Sequence, residues 1–258
     1  MPSKKYLYSL RTDLVFSEPV RRHTFLLKAV PMYEGGQEPM RTSLTCQPKA
    51  PLAGFRDYAG NIVHQGYIEA PHDTFVFCST GEVVVDGRPV PAKEAAPYFA
   101  APSRLTKLAG ELASYFNEHR TEGSAENIAS DWMQRLSRDL HYERGHTTTR
   151  TTAAQAWALG FGVCQDYAHI MLALLRAHGI PCRYIAGLMA GEGESHAWVE
   201  YYDGKAWVGI DPTHNCAADI GYVKISQGID FETCALEKGV FIGGATQSVT
   251  SRCALIEI

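Results

Sequence analysis

The sequence predicts an α+β fold, and three observations carry that reading. Short alternating runs cut by turn residues fill the chain to about residue 95, a helical period takes over from residue 103 to 178, and alternating apolar runs return after Pro181. Strands, then helices, then strands again predict a β-rich, sandwich-like N-terminal domain over residues 1–95 and an α+β domain with an antiparallel sheet over 96–258.

In the first part, Tyr6 to Phe16 and His23 to Val30 alternate or run apolar, and Arg41 to Cys46 is a shorter candidate strand. Asp57-Tyr58-Ala59-Gly60-Asn61 reads as a turn. Strands are expected near Ile62–Glu69, Thr74–Cys78 and Glu82–Val85, with Thr80-Gly81 and Asp86-Gly87 as punctuation that tolerates positive φ. Pro89 to Pro102, with its prolines and alanines, reads as the connection.

Beyond it, Leu105, Leu108, Ala109, Leu112, Tyr115 and Phe116 mark one helix face, with Ser103 as the expected cap. A second face, Ala125, Ile128, Ala129, Trp132, Met133 and Leu136, follows Ser124. Thr152 and Gln155 form a capping box for a short third helix. A fourth begins at or within one residue of Cys164, carries Tyr167, Ala168, Met171 and Leu175 inward, and stops at His178-Gly179-Ile180-Pro181. Cys182–Met189, His196–Tyr202, Lys205–Asp211, Tyr222–Ser226 and Ser248–Ile258 read as strands.

Composition narrows the function. The chain is 45% apolar and 20% charged, with a formal net charge of −4 and no basic stripe of the kind nucleic acid requires. Met1-Pro2-Ser3-Lys4-Lys5 leads into an alternating segment, so no signal peptide is expected, and Ile170 to Leu175 is far too short to span a bilayer. The cysteines number seven, without pattern, which predicts reduced thiols in a cytoplasmic protein. Cys164, His169, His196, His214 and Cys216 show no tight ligand pairs, and Glu192 with Glu194 makes no calcium loop, so neither metal nor cofactor is expected.

Cys164 is the candidate nucleophile. A helix N-terminus presents unpaired N–H groups that favour a thiolate and can receive an oxyanion, and Gly160 and Gly162 leave the thiol uncrowded. Position alone suits a core cysteine equally well. The second signal is a hairpin: a two-residue turn at Asp203-Gly204 would set His196 directly opposite Asp211, Cβ atoms about 5 Å apart. Ala197, Val199, Tyr201, Ala206, Val208 and Ile210 then form an apolar face, while Trp198, Glu200, Lys205 and Trp207 share the face of His196 and Asp211. An imidazole held by a carboxylate on one nitrogen and facing a thiol with the other is a nucleophile–base–orienter set. Trp198, Glu200 and Trp207 are the candidate substrate-binding residues, although cross-strand packing accounts for the two tryptophans equally well; Asp166 and His169 are expected to be structural, and Ala190 to Ser195 is expected to be a mobile rim.

Gly162-Val163-Cys164-Gln165-Asp166-Tyr167-Ala168-His169, Gly179-Ile180-Pro181-Cys182-Arg183-Tyr184, His196-Ala197-Trp198-Val199-Glu200 and Asp211-Pro212-Thr213 together resemble the bacterial transglutaminase-like family. The resemblance implies a papain-like core, with the cysteine on a central helix packed against a sheet bearing the His and Asp. It also implies amide chemistry through a thioester on a peptide or protein substrate, ending in hydrolysis or in transfer to an amine. Hydrolysis is the expected outcome, because water needs no acceptor pocket; a catalytically silent binding module would be expected to have lost one of the three residues. Two stretches depart from the family pattern. Gly228-Ile229-Asp230-Phe231 lacks the arginine of a Gly-Arg-Asp-Tyr-like segment, and His214, Asn215 and Cys216 are unexpected after the Asp-Pro-Thr motif. Trp157 and Tyr142 are candidates for a second oxyanion donor.

Overall fold

A computed structural model describes residues 3–258. The strands of the first part are β1 (Lys4–Leu27), β2 (Gln37–Gln47), β3 (Ala53–Arg56), β4 (Ile62–Ile68), β5 (His72–Val85) and β6 (Val90–Pro91). Next come α1 (Gly110–His119), α2 (Ala125–Asp139), β7 (His141–Tyr142), α3 (Ala153–Leu159), β8 (Phe161–Gly162) and α4 (Cys164–Ala177). The chain continues through β9 (Cys182–Met189), β10 (Gly191–Gly193), β11 (His196–Tyr202), β12 (Ala206–Asp211), β13 (Cys216–Ala217) and β14 (Tyr222–Gly228). It ends with α5 (Phe231–Cys234), β15 (Glu237–Ile242) and β16 (Gln247–Glu257).

The fold is α+β, as the sequence predicts. β1 is one long bent strand where two were expected. Its first half pairs with β5 and β16, and its second half, past an irregularity between Val15 and Val20, pairs with β4 and β15. The resulting eight-stranded antiparallel sheet curls around Leu10, Leu14, Phe25, Phe75 and Phe77. β5 also runs unbroken through Thr80-Gly81. A Cβ at Gly81 would lie 2.8 Å from the Tyr8 ring, so glycine serves close strand approach there, not a turn.

The sheets do not divide at residue 95. β10, β15 and β16 all belong to the sheet built on β1, and Ser248–Ile258, expected in the second domain, closes the first. The six-stranded sheet runs β13-β12-β11-β9-β14, with β6 beside β12. Its helical side packs Ala197, Val199, Tyr201 and Ile210 against α4, while Val223 and Ile225 join the core of the curled sheet. Helices, the six-stranded sheet and the eight-stranded sheet thus form three layers sharing two cores.

Local signals explain most helix ends. Ser124 Oγ accepts from the Asn127 N–H at 3.2 Å, and the Thr152–Gln155 capping box is formed. α1 starts at Gly110, later than the Ser103 cap predicts. Ser103 and Thr106 close a separate turn, and the Arg176 guanidinium donates to Thr106 Oγ1 at 2.6 Å.

Candidate active site

Cys164 is the first residue of α4. Two short strands aim it: β7 pairs in parallel with β8, setting Tyr142 beside Gly162 immediately ahead of the helix. The turn into α4 is closed by Asp166, whose Oδ2 accepts from the Val163 N–H at 2.9 Å and the Thr147 hydroxyl at 2.7 Å. Burial pushes the Asp166 carboxyl pKa up despite those two bonds. A Cβ at residue 162 would stand 2.6 Å from the Asp166 Cβ, so Gly162 is required for this closure. Asp166 is structural, as expected. So is His169, fully buried with Nε2 accepting from the Phe231 N–H, its pKa lowered to about 3 by burial.

His196 opens β11, and its Nε2 donates to Asp211 Oδ2 at 2.7 Å. The Cys164 side chain lies in the same cleft, near enough to act on the imidazole. Burial pulls the imidazole pKa down, but the hydrogen bonds and charges of Asp211 and Cys164 outweigh it and raise the value to about 9. Asp211 is fully buried, which alone would raise its pKa; hydrogen bonds and charge from His196, with His214 and Tyr222, hold it well below the usual carboxylate range.

The hairpin register differs from expectation. Tyr202 pairs with Trp207 and Val199 with Ile210, and the Asp203 N–H donates to the Ala206 carbonyl at 3.1 Å, so the turn is centred on Gly204-Lys205, one residue later than expected. The Asp203 carboxylate accepts from the Lys205 and Ala206 N–H groups, each at 2.7 Å, and holds the turn in that place. His196 and Asp211 are therefore diagonal neighbours, not directly opposite. A two-residue shift preserves which face each side chain takes, so the pair still meets.

The structure brings Cys164 and His196 to one cleft of about 650 Å³, with Asp211 buried behind His196. It does not bring Trp198, Glu200 or Trp207 there. Trp198 is buried beneath the site, its ring stacked 6.3 Å from that of His196. Glu200 is buried between Arg183 Nε at 2.6 Å and Lys224 Nζ at 2.8 Å, a network that Glu34 joins from the loop after β1. Trp207 lies 4.3 Å under the Arg183 guanidinium and packs on Phe99. The face these residues share is covered by the N-terminal part of the chain, which the hairpin pattern cannot show. Ala190 to Ser195, expected as a mobile rim, contains β10 and is tied to β16. Of the two oxyanion candidates, Tyr142 lines the cleft, whereas Trp157 packs on Tyr115 at 4.4 Å.

Sequence reasoning missed two residues. His214 Nδ1 and the Tyr222 hydroxyl both donate to Asp211 Oδ2, at 2.7 and 2.8 Å. His214 was findable: Asp211 Oδ1 accepts from the Thr213 and His214 N–H groups, the local turn an Asp makes with the residues two and three ahead. Tyr222 had no signal, because it reaches Asp211 from β14 across the sheet. His196, Asp211 and His214 place their ligating atoms within 4.8 Å of one another. Oδ2 already accepts three hydrogen bonds, so this set is a hydrogen-bonded centre.

Comparison with known proteins agrees with this architecture. Residues 111–212 match the transglutaminase-like superfamily, and residues 6–84 match the bacterial transglutaminase-like N-terminal region. The chain belongs to the transglutaminase-like superfamily and carries the bacterial form of N-terminal region. An uncharacterized protein of Mycobacterium tuberculosis is 26% identical, over 95% of this chain and 90% of its own. A protein-glutamine gamma-glutamyltransferase of Pseudomonas aeruginosa is 37% identical over 82 residues, 27% of this chain and 12% of that one. A crystal structure of a candidate cysteine protease from Cytophaga hutchinsonii shares the fold, with a TM-score of 0.78 at 23% identity, over 99% of this chain and 91% of its own.

Proposed function

We propose that this protein is a cysteine-dependent enzyme that opens amide bonds of a peptide or protein through a thioester on Cys164, with water as the default acceptor. The observation that carries the reading is geometric: the His196 imidazole is held by Asp211 through Nε2 at 2.7 Å and shares one cleft with Cys164. Asp211 and Cys164 together raise its pKa to about 9. At neutral pH that imidazole is protonated beside the sulfur. The Cys164 sulfur attacks the amide carbonyl, and the His196 imidazolium gives its proton to the departing amine. Asp211 keeps the ring in one orientation throughout, and the N–H groups of the first turn of α4 face the oxyanion. Water then attacks the thioester, with neutral His196 taking its proton. Transfer of the acyl group to an amine is the second reading, supported by the resemblance to the Pseudomonas aeruginosa gamma-glutamyltransferase. A silent binding module fits less well, because all three residues of the set are present, His196 bonded to Asp211 and lining one cleft with Cys164.

Trapping the acyl-enzyme tests the proposal. After incubation with a peptide library and acid quench, intact and peptide mass spectra are expected to show an acyl adduct on the Cys164 peptide, absent in Cys164→Ala. An adduct confined to other cysteines, or amide turnover that survives Cys164→Ala, would sink it.

A further inference from the structure

We infer that His214 is a second proton acceptor in this cleft and equips the acyl-enzyme to use a protonated amine. The inference rests on the thioester reading above. His214 Nδ1 bonds the Asp211 carboxylate at 2.7 Å, which fixes that nitrogen as the donor, and among the described residues Nε2 has no hydrogen-bond partner. The side chain is 46% exposed and lines the cleft, its ring centroid 5.2 Å from that of His196. A nucleophile held by one imidazole is thus within reach of the other. The placement is built into the chain: Asp211 Oδ1 accepts from the Thr213 and His214 N–H groups, and Asn215 follows at φ 53°, folding His214 back onto the carboxylate.

Proton balance gives the second imidazole its use. A primary alkylamine is an ammonium at neutral pH, with a pKa near 10.4 for a lysine-like group. It carries three N–H bonds and the product amide keeps one, so two protons must leave. His214 Nε2 takes the first, freeing the lone pair to attack the thioester carbonyl. The C–N bond forms, the C–S bond breaks, and its electron pair returns to the Cys164 sulfur. His196 takes the second proton from the adduct, restoring the imidazolium beside Cys164. His214, half exposed, then releases its proton to solvent. Water as nucleophile gives up one proton during attack, for which His196 suffices. The rim suits a cation as well: Glu192 lines the cleft and, among the described residues, has no ion-pair partner, while its neighbour Glu194 is paired with Arg144 at 3.2 Å.

The test compares two acceptors on one acyl-enzyme. p-Nitrophenyl acetate loads Cys164, and cadaverine, an ammonium, competes with hydroxylamine, which is already neutral at about pH 7.5. Products are quantified by mass spectrometry after subtracting the Cys164→Ala background. In His214→Gln, which keeps an N–H for Asp211 but has no basic nitrogen, the ratio of acetylcadaverine to acetohydroxamate is expected to fall about 10- to 100-fold. His214→Asn, a shorter donor, is expected to give the same ratio. A purely structural role would slow both products equally and leave the ratio unchanged, which would overturn the inference, as would a wild-type enzyme that makes no acetylcadaverine. If the p-nitrophenolate burst itself survives Cys164→Ala, it is the thioester reading that fails.

Discussion

At the scale of residues, one oxygen organises the site. Asp211 Oδ2 accepts from two imidazoles and a phenol, and the buried carboxylate stays ionised because those donors surround it. Its charge then holds the proton on His196, which gives the sign of two pH effects. The His196 pKa lies at about 9 in the folded protein against 6.5 for an unperturbed imidazole. Its contribution to stability is therefore fully present below about pH 6.5 and is lost as pH rises through about 9. On the proposed mechanism the imidazolium protonates the leaving amine, so amide turnover is expected to fall across that upper limit. Alkylation of Cys164 by iodoacetamide needs only the thiolate and is expected to keep its rate there. Cys164 is also expected to label first among the seven cysteines at about pH 7, and His196→Ala to slow that labelling about tenfold or more. Peptide mapping after brief exposure reads both results; uniform slow labelling of all the cysteines would contradict them.

At the scale of elements, the N-terminus of α4 is the part most legible in the sequence. Gly162, Cys164 and the closing Gly179 mark the helix by residue type and spacing alone, and the fold adds the reason for Gly162, the close approach of Asp166. Gly162→Ala is expected to cost about 1–3 kcal/mol, as overpacking does, because the Asp166 carboxylate must move off the Val163 N–H. Thermal melts would show the loss, and Cys164 labelling would slow with it. A variant with wild-type melting and labelling would mean that Gly162 is not needed for the turn. The β11–β12 hairpin was legible in its faces but not in its register. Alternation fixes which side chains share a side, whereas the position of the turn depends on whether Asp203 bonds the backbone ahead of it, as it does with Lys205 and Ala206. Glu200 and Trp207 do not reach the cleft for a related reason. Their face of the sheet is occupied by Arg183, Lys224 and Glu34, residues drawn from three separate stretches of chain.

At the scale of the whole molecule, the two sheets are not separable along the sequence. β1 is held by β15 and β16 from the far end of the chain, and Leu188, Val223 and Ile225 of the six-stranded sheet lie in the core of the curled one. A fragment of residues 1–95 would leave β1 unpaired along one edge and much of that core exposed. Expressed alone, it is expected to be unfolded or aggregated, and the intact chain to melt in one cooperative transition. Calorimetry with two resolved peaks, or a dispersed NMR spectrum from the fragment, would show independent domains instead. The sequence by itself determined the α+β class, the helix that begins at Cys164, the alternation that sets His196 and Asp211 on one face, and the family these motifs mark. All of these rest on neighbours within a helical turn or a single hairpin, where period and capping act directly. Only the tertiary structure decided where the chain's last strands pair, that Trp198, Glu200 and Trp207 are covered, and that Tyr222 reaches Asp211. The first two depend on surfaces that meet across more than a hundred residues of chain, and the third on β14 returning to the sheet beside β9 rather than beside β12; local periodicity exposes an apolar or charged face without naming what covers it.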